Sequence, residues 1–150
     1  MKIYLGADHR GFELKEKIKK WLSEWGYEFE DMGAFSYDKN DDYPDFARKV
    51  AERVAKDPKH SRGVLLCGSG VGVAITANKV KGIRAGTAIS AKQIKDSVND
   101  EDTNILAISA DYFSEEETKE IAKSFIEAKF SGEERHIRRI NKIKEIEQNG

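Results

Sequence analysis

The chain has 150 residues, with 26 lysines and arginines against 27 aspartates and glutamates, and its formal net charge is −1. The length suits one domain over residues 1–150, which can bury a core without disulfides or a metal ion. The balanced charge argues against nucleic acid as a partner, no apolar run is long enough to span a membrane, and one cysteine without a signal-peptide pattern predicts a cytoplasmic location.

Strands and helices are predicted to alternate along the first part of the chain. A strand is expected over residues 2–7 and a helix over residues 12–25, because apolar residues recur at helical spacing up to Gly26. A second strand with one wetter face covers residues 27–32. After a polar loop, Pro44 suits the first turn of the next helix, whose buried face is predicted to be Ala47, Val50, Ala51 and Val54.

The same alternation continues in the second part. An apolar strand ending at Cys67 leads through a glycine-rich turn into a helix. Further strands are predicted over residues 83–89 and 104–109, followed by helices over residues 91–98 and 115–130. Strands and helices in this order predict an α/β fold with a parallel sheet covered by helices on both faces.

The last segment, residues 133–148, has a different apolar pattern. Its isoleucines recur every three positions, at Ile137, Ile140, Ile143 and Ile146. Such a stripe drifts round the helix, which predicts a helix that packs on a second subunit. Its first turns carry Arg135, His136, Arg138 and Arg139, which form either a solvated basic face or a phosphate-binding group.

Cys67 is the chain's only cysteine, and it precedes the turn Gly68-Ser69-Gly70-Val71-Gly72. The turn is not a dinucleotide fingerprint, because residue 73 is valine, and no Gly-Lys-Ser/Thr follows as in a P-loop. Its backbone N–H groups are predicted to face an anion. The start of a helix favours a thiolate, so Cys67 is a candidate base or nucleophile; the alternative is a small buried hydrophobic residue.

Open parallel sheets bind ligands beyond the carboxyl ends of their strands, where the strand order reverses. We expect three segments there: Asp8 with His9, residues 67–72, and residues 100–104 before the fifth strand. No metal ion is predicted, because the three histidines show no ligand spacing and the only cysteine has another use.

Six blocks of sequence together carry a family resemblance. They are Gly6-Ala7-Asp8-His9, Asp42-Tyr43-Pro44, Cys67 to Gly72, Ala77-Asn78-Lys79 with Gly82-Ile83-Arg84-Ala85, Asp102-Thr103-Asn104, and Arg135-His136-Ile137-Arg138-Arg139. In this order they resemble the ribose-5-phosphate isomerase B family, which includes galactose-6-phosphate isomerase subunits. The resemblance implies a Rossmann-like three-layer sandwich with a five-stranded sheet. It also implies a cofactor-free aldose–ketose isomerase of phosphorylated sugars, and homodimers whose sites take residues from both subunits.

The resemblance also implies roles for individual residues. Cys67 would move a proton between C1 and C2 of the open-chain sugar. N–H groups of Gly68, Ser69, Gly70, Val71 and Gly72 would bind the enediolate oxygen, and Ser69 keeps the hydroxyl of the threonine that many members have. Asp8 would hold sugar hydroxyls, Tyr43 would line the pocket, and His9, Arg135 and Arg139 would bind phosphate.

Two departures from the family pattern concern the sugar end of the site. Many members have a His-Asn pair before Asp-Thr-Asn, where the histidine opens the furanose ring; this chain has Asp100-Glu101. Asp100 is the candidate replacement, although an exposed carboxylate is a poor proton donor at neutral pH, and Glu101 is a candidate substrate contact. Asp111 stands where an arginine is usual. Either the substrate differs from ribose 5-phosphate, or another group or spontaneous ring opening serves ribose 5-phosphate.

Two other classes of function compete with an isomerase. A sugar-phosphate-binding protein without catalysis would keep the fold and the phosphate site, but it would not need Cys67 beside a glycine turn. A thiol redox protein would use Cys67. The chain has no second cysteine to resolve an oxidised sulfur, which argues against this class.

Overall fold

The computed structural model describes residues 1–150. Its five strands are β1 (Lys2–Ala7), β2 (Glu28–Asp31), β3 (Ser61–Cys67), β4 (Ala85–Thr87) and β5 (Ile105–Ser109). Its six helices are α1 (Phe12–Glu24), α2 (Tyr43–Lys56), α3 (Val71–Ala77), α4 (Ala91–Glu101), α5 (Glu115–Glu127) and α6 (Glu134–Asn149). The predicted order of elements is confirmed. The strand expected over residues 83–89 is shorter, and the helix expected over residues 91–98 extends to Glu101.

All five strands are parallel and lie in the order β2-β1-β3-β5-β4. The chain places β2 on one side of β1 and β3 on the other, so the winding direction reverses between β1 and β3. In the register of the sheet, Ala7 pairs with Leu66 and Cys67 pairs with Ser109. Residues that follow β1, β3 and β5 therefore meet at one edge.

Helices cover both faces of the sheet, which confirms the three-layer α/β architecture. One apolar cluster joins α1, α4 and α5 to the sheet through residues such as Ile18, Ile94 and Phe125. The other joins α2 and α3 to the opposite face. The buried side of α2 is the predicted one: Ala47, Val50, Ala51 and Val54 are fully buried. Each of these five helices thus packs an apolar side of its own against the sheet.

Helix α6 makes the weakest connection to this core. Of its four isoleucines only Ile140 is buried, whereas Ile137, Ile143 and Ile146 are 43%, 46% and 74% exposed. This is the drifting stripe that the three-residue spacing predicted. Packing on a partner subunit stays a prediction. None of the six helices combines the length and apolar character needed to cross a bilayer.

A buried ion pair fixes α1 to the end of β2. Lys15 is fully buried, and its Nζ lies 2.6 Å from Oδ2 of Asp31, which also accepts from Lys19 at 2.9 Å. Burial raises the pKa of the Asp31 carboxyl, but the hydrogen bonds from Lys15, Lys19 and the Gly33 N–H outweigh that effect and lower it. The pair orients the first helix, and hence the turn between β1 and α1.

Replacing Asp31 with asparagine should lower the free energy of unfolding by about 3 kcal/mol near pH 7, because the buried Lys15 charge loses its partner. The folded chain holds the pKa of Asp31 below its unfolded value. Its carboxylate therefore stabilises the fold above about pH 4 and loses that effect as the pH falls through the folded-state pKa. Urea unfolding at fixed protein concentration should show the difference between Asp31→Asn and the unmodified chain shrinking at low pH.

An exposed ion pair supplies the control. Arg48 and Glu52 are bonded at 2.7 Å, but their side chains are 74% and 47% exposed. Glu52→Gln should change the free energy of unfolding by less than about 0.5 kcal/mol. Equal changes in the free energy of unfolding for Asp31→Asn and Glu52→Gln would show that burial does not make the Lys15 pair more stabilising than an exposed pair.

Candidate active site

A cavity of about 370 Å³ opens at the carboxyl ends of the strands. It is lined by Asp8, Arg10, Tyr43, Cys67, Gly68, Ser69, Val71, Gly72 and Ile75. Cys67 is 5% exposed and ends β3, next to the turn that leads into α3. The structure therefore brings together four segments that sequence analysis placed in one site: Asp8, Tyr43, Cys67 and the glycine turn.

The turn after Cys67 requires glycine at position 70. Gly70 has a φ of 78°, and a β-carbon there would lie 2.9 Å from the backbone nitrogen of Ser109. The N–H groups of Gly68, Ser69 and Gly70 donate to no acceptor within the chain, whereas the Val71 N–H donates to Ser69 Oγ at 3.2 Å. Beside the thiol, three backbone donors are thus free to bind an anion.

The loop after β5 holds this turn in shape. The Cys67 carbonyl accepts from the Ala110 N–H at 2.9 Å. The Gly68 carbonyl accepts from the Asp111 N–H at 3.1 Å and from the Ser109 hydroxyl at 2.6 Å. These bonds fix the orientation of two peptide planes, so the free donors are positioned before any ligand arrives.

Asp8 places a carboxylate in the same cavity. The residue is 5% exposed, and its Oδ1 accepts from the N–H groups of Arg10 at 3.0 Å and Gly11 at 3.3 Å. Burial raises the pKa of the Asp8 carboxyl, and these N–H groups offset only part of the rise. One oxygen is held by the backbone, while the side chain lines the cavity, where it can accept hydrogen bonds from hydroxyl groups.

His9 does not line the cavity but pairs with a residue that sequence analysis missed. Its Nδ1 lies 2.7 Å from Oδ1 of Asp41, which also accepts the His9 N–H at 3.0 Å. Asp41 lies in the polar loop before α2, its side chain is 10% exposed, and its Oδ2 has no partner. Asp8, His9 and Asp41 have donor atoms within 4.8 Å of one another, so these residues are the ones that could hold a metal ion.

Arg10 is a second residue that the sequence did not single out. Its guanidinium packs against Gly68, where a β-carbon would lie 2.6 Å from Nε, and it forms an ion pair with Asp111. The substitution of an acidic residue for the expected arginine at 111 therefore leaves no unbalanced charge. No sequence pattern indicates this pair, because its members are 101 positions apart.

Six predicted site residues do not line this cavity: Gly70, which lies within the glycine turn, His9, and Asp100, Glu101, Arg135 and Arg139 from other segments. The expectation that residues 100–104 share an edge with Cys67 is wrong within one chain. The Asn104 carbonyl accepts from the Gly63 N–H at 2.9 Å, near the start of β3, because residues that precede a parallel strand lie at its amino end. Asp100 instead lies beside α6, with its Oδ1 3.7 Å from Nε2 of His136.

A larger cavity of about 630 Å³ lies at the amino ends of the strands. It contains no thiol, and its two arginines already have acceptors. Arg62 donates to the carbonyls of Phe125 and Ala128 at 2.5 and 2.7 Å, and Arg84 is bonded to Asp102. The smaller cavity at Cys67 is therefore the candidate active site.

Comparisons with known proteins show the family to which the chain belongs. The family model described as ribose/galactose isomerase matches residues 3–143. Ribose-5-phosphate isomerase B of Mycolicibacterium paratuberculosis is 39% identical over 148 residues, covering 99% of this chain and 92% of the relative. A crystal structure of ribose-5-phosphate isomerase B from Mycoplasma genitalium with bound ribulose-5-phosphate has a TM-score of 0.95 at 38% identity, covering 99% and 97% of the two chains.

A structure of ribose-5-phosphate isomerase B from Clostridium thermocellum has a TM-score of 0.94 at 40% identity and covers 99% of each chain. The similarity therefore extends over nearly the whole fold. The family model covers nearly the full length of the chain, and these relatives share 38% to 40% of its residues. The chain belongs to the ribose/galactose isomerase family.

Proposed function

We propose that this aldose–ketose isomerase interconverts ribose 5-phosphate and ribulose 5-phosphate, or a closely related phosphosugar, with Cys67 as the base. The observation that carries the proposal is a buried thiol at a cavity beside a turn in which three backbone donors, the N–H groups of Gly68, Ser69 and Gly70, are unpaired. A relative of 38% identity has a structure with ribulose-5-phosphate bound, which supports the choice of sugar. The reaction needs no cofactor, because it only moves protons within the sugar.

In the proposed reaction the Cys67 thiolate removes the C2 proton of the open-chain aldose. The electron pair forms the C1–C2 double bond of an enediolate, and the negative charge on oxygen is met by the N–H groups of Gly68, Ser69 and Gly70. The thiol then returns the proton to C1, which completes the ketose. Ser69, whose hydroxyl belongs to the same turn, can carry the proton that moves between O2 and O1.

We further infer that the active site is completed by a second copy of the chain. Arg135 and Arg139 suit a phosphate dianion but lie on α6, outside the cavity of their own subunit. The exposed isoleucines of α6 offer an apolar surface for a partner. In such a dimer, Asp100 and Glu101 would enter the partner's site together with the arginines. The neighbouring His136 then places an imidazole beside Asp100, where the family pattern has a ring-opening histidine.

Sugar-phosphate binding without catalysis is the second candidate function. It would use the same cavity and the same phosphate-binding residues, so binding measurements alone do not separate the two. The orientation of the turn at Cys67 favours the enzyme, because unpaired donors beside a thiol serve a developing negative charge and are not needed to hold neutral hydroxyls.

Cys67→Ala should abolish isomerisation, with kcat falling at least about a thousandfold, because the reaction loses its only base. The measurement is proton NMR in heavy water, following deuterium exchange at C2 of ribose 5-phosphate and the appearance of ribulose 5-phosphate. Turnover by Cys67→Ala close to that of the unmodified chain would rule out Cys67 as the base. Calorimetric binding of ribose 5-phosphate without turnover in either protein would instead favour the non-catalytic function.

Gly70→Ala should lower kcat by about a hundredfold or more, because a β-carbon at φ 78° presses on the end of β5 and misplaces the N–H donors. Gly26 is the matched control. It also has a positive φ, of 81°, but has no atom within 4 Å of its β-carbon position. Gly26→Ala should cost about 1 kcal/mol of stability and leave kcat unchanged. Equal kcat values for both variants would contradict the proposed role of the turn.

A shared active site predicts complementation between two inactive variants. Cys67→Ala and the double variant Arg135→Met/Arg139→Met should each be nearly inactive. After unfolding and refolding together, random pairing makes half of the dimers hybrids with one complete site, so about a quarter of the full activity should return. Recovery is measured as ribulose 5-phosphate formed per total subunit. No recovery, despite hybrid dimers seen by native mass spectrometry, would place each site within one chain.

A further inference from the structure

Arg10 is the one basic residue among those that line the Cys67 cavity, and the reaction described above does not use it. It lies in the turn between β1 and α1, where its backbone N–H donates to Oδ1 of Asp8 at 3.0 Å. The same turn therefore positions a carboxylate and a guanidinium at one cavity. The cavity therefore has one positively charged lining residue, Arg10, beside the carboxylate of Asp8.

The guanidinium of Arg10 lies across the start of the glycine turn. A β-carbon on Gly68 would lie 2.6 Å from its Nε and 2.7 Å from its Nη1, so a side chain at 68 would displace the guanidinium from this position. Its Nη2 is bonded to Asp111. The Arg10 side chain is 55% exposed, whereas Cys67 is 5% exposed. The guanidinium thus lies at the mouth of the cavity and the thiol at its base.

We propose that Arg10 binds the phosphate group of the substrate, with Asp111 as the residue that positions it; this rests on the proposed function, which supplies a phosphosugar. Phosphate is the most strongly hydrated part of such a molecule, so it is best bound at the exposed mouth while C1 and C2 reach the buried thiol. A planar guanidinium with several donors matches phosphate oxygens in geometry and charge.

The contacts of Asp111 leave Arg10 able to bind a ligand. Asp111 is itself anchored, because its N–H donates to the Gly68 carbonyl and lies 3.2 Å from Ser109 Oγ. It engages Arg10 through Nη2, so Nε and Nη1 remain for phosphate oxygens. Its negative charge also opposes a phosphate dianion nearby. Asp111 therefore orients Arg10 and at the same time limits its affinity for phosphate.

The test compares Arg10→Met with Asp111→Asn, since both substitutions remove the ion pair but only the first removes the guanidinium. For Arg10→Met, we expect the KM for ribose 5-phosphate and the inhibition constant for inorganic phosphate to rise together, by about tenfold or more, because a charge-assisted hydrogen bond is lost. Its kcat should stay within about threefold, because phosphate binding is the same in substrate and transition state. For Asp111→Asn, the amide oxygen still accepts from Nη2 while the opposing charge is gone, so both constants should fall.

Two results would overturn the assignment. A fall in kcat at unchanged KM in Arg10→Met would place Arg10 at the enediolate. A rise in KM of the same size in Asp111→Asn would mean that the ion pair between loops, and not the guanidinium, is what matters. Thermal melting of both variants checks that their folding is equally affected.

A separate measurement distinguishes failure of this inference from failure of the proposed function. If the unmodified chain turns over no phosphosugar, calorimetric titration with inorganic phosphate and with ribose 5-phosphate replaces the kinetics. Binding that is lost in Arg10→Met supports the phosphate site even though the isomerase is wrong. Equal binding by both proteins, or binding by neither, overturns the role of Arg10.

Discussion

The close contact between the turn after β3 and the end of β5 is the constraint on which the active site depends. Gly70 approaches the backbone of Ser109 so closely that no side chain fits between them. The Ala110 N–H donates a hydrogen bond to the Cys67 carbonyl. The Asp111 N–H and the Ser109 hydroxyl donate to the Gly68 carbonyl. Although these carbonyl groups are bound, the N–H groups of Gly68, Ser69 and Gly70 have no acceptor within the chain. The fold thus leaves three adjacent backbone donors unpaired beside the thiol, a cost that most backbone N–H groups in proteins avoid.

The rest of the architecture serves this contact. The strand order puts β3 between β1 and β5, so the residues that follow these three strands converge. The apolar clusters on the two faces hold the strands in register, and the buried pair of Lys15 and Asp31 fixes α1 and the turn that precedes it. That turn carries Asp8 and Arg10. A polar interaction in the interior therefore helps to position Asp8 and Arg10 at the edge of the sheet.

Much of the fold and part of the site follow from local sequence patterns. The buried face of α2 and the strand that ends at Cys67 were predicted because apolar spacing determines them directly. The meeting of Asp8 with Cys67 was predicted because parallel strands carry their following residues to one edge. The position of residues 100–104 was wrong, since that rule holds for residues after a strand and these precede β5. Lys15, Arg10 and Asp41 were missed because their importance comes from partners 16, 101 and 32 positions away, which no local pattern encodes.

The contact of Arg10 with Gly68 and Asp111 limits the order in which these positions can change during evolution. The three residues come from three loops but share one small volume. If Asp111 became arginine while Arg10 remained, two guanidinium groups would repel each other beside one glycine. If Arg10 were lost first, the mouth of the cavity would have no cation and Asp111 would have no partner. Moving the positive charge from one loop to the other therefore passes through a less favourable intermediate, which is the physical basis of epistasis between positions 10 and 111.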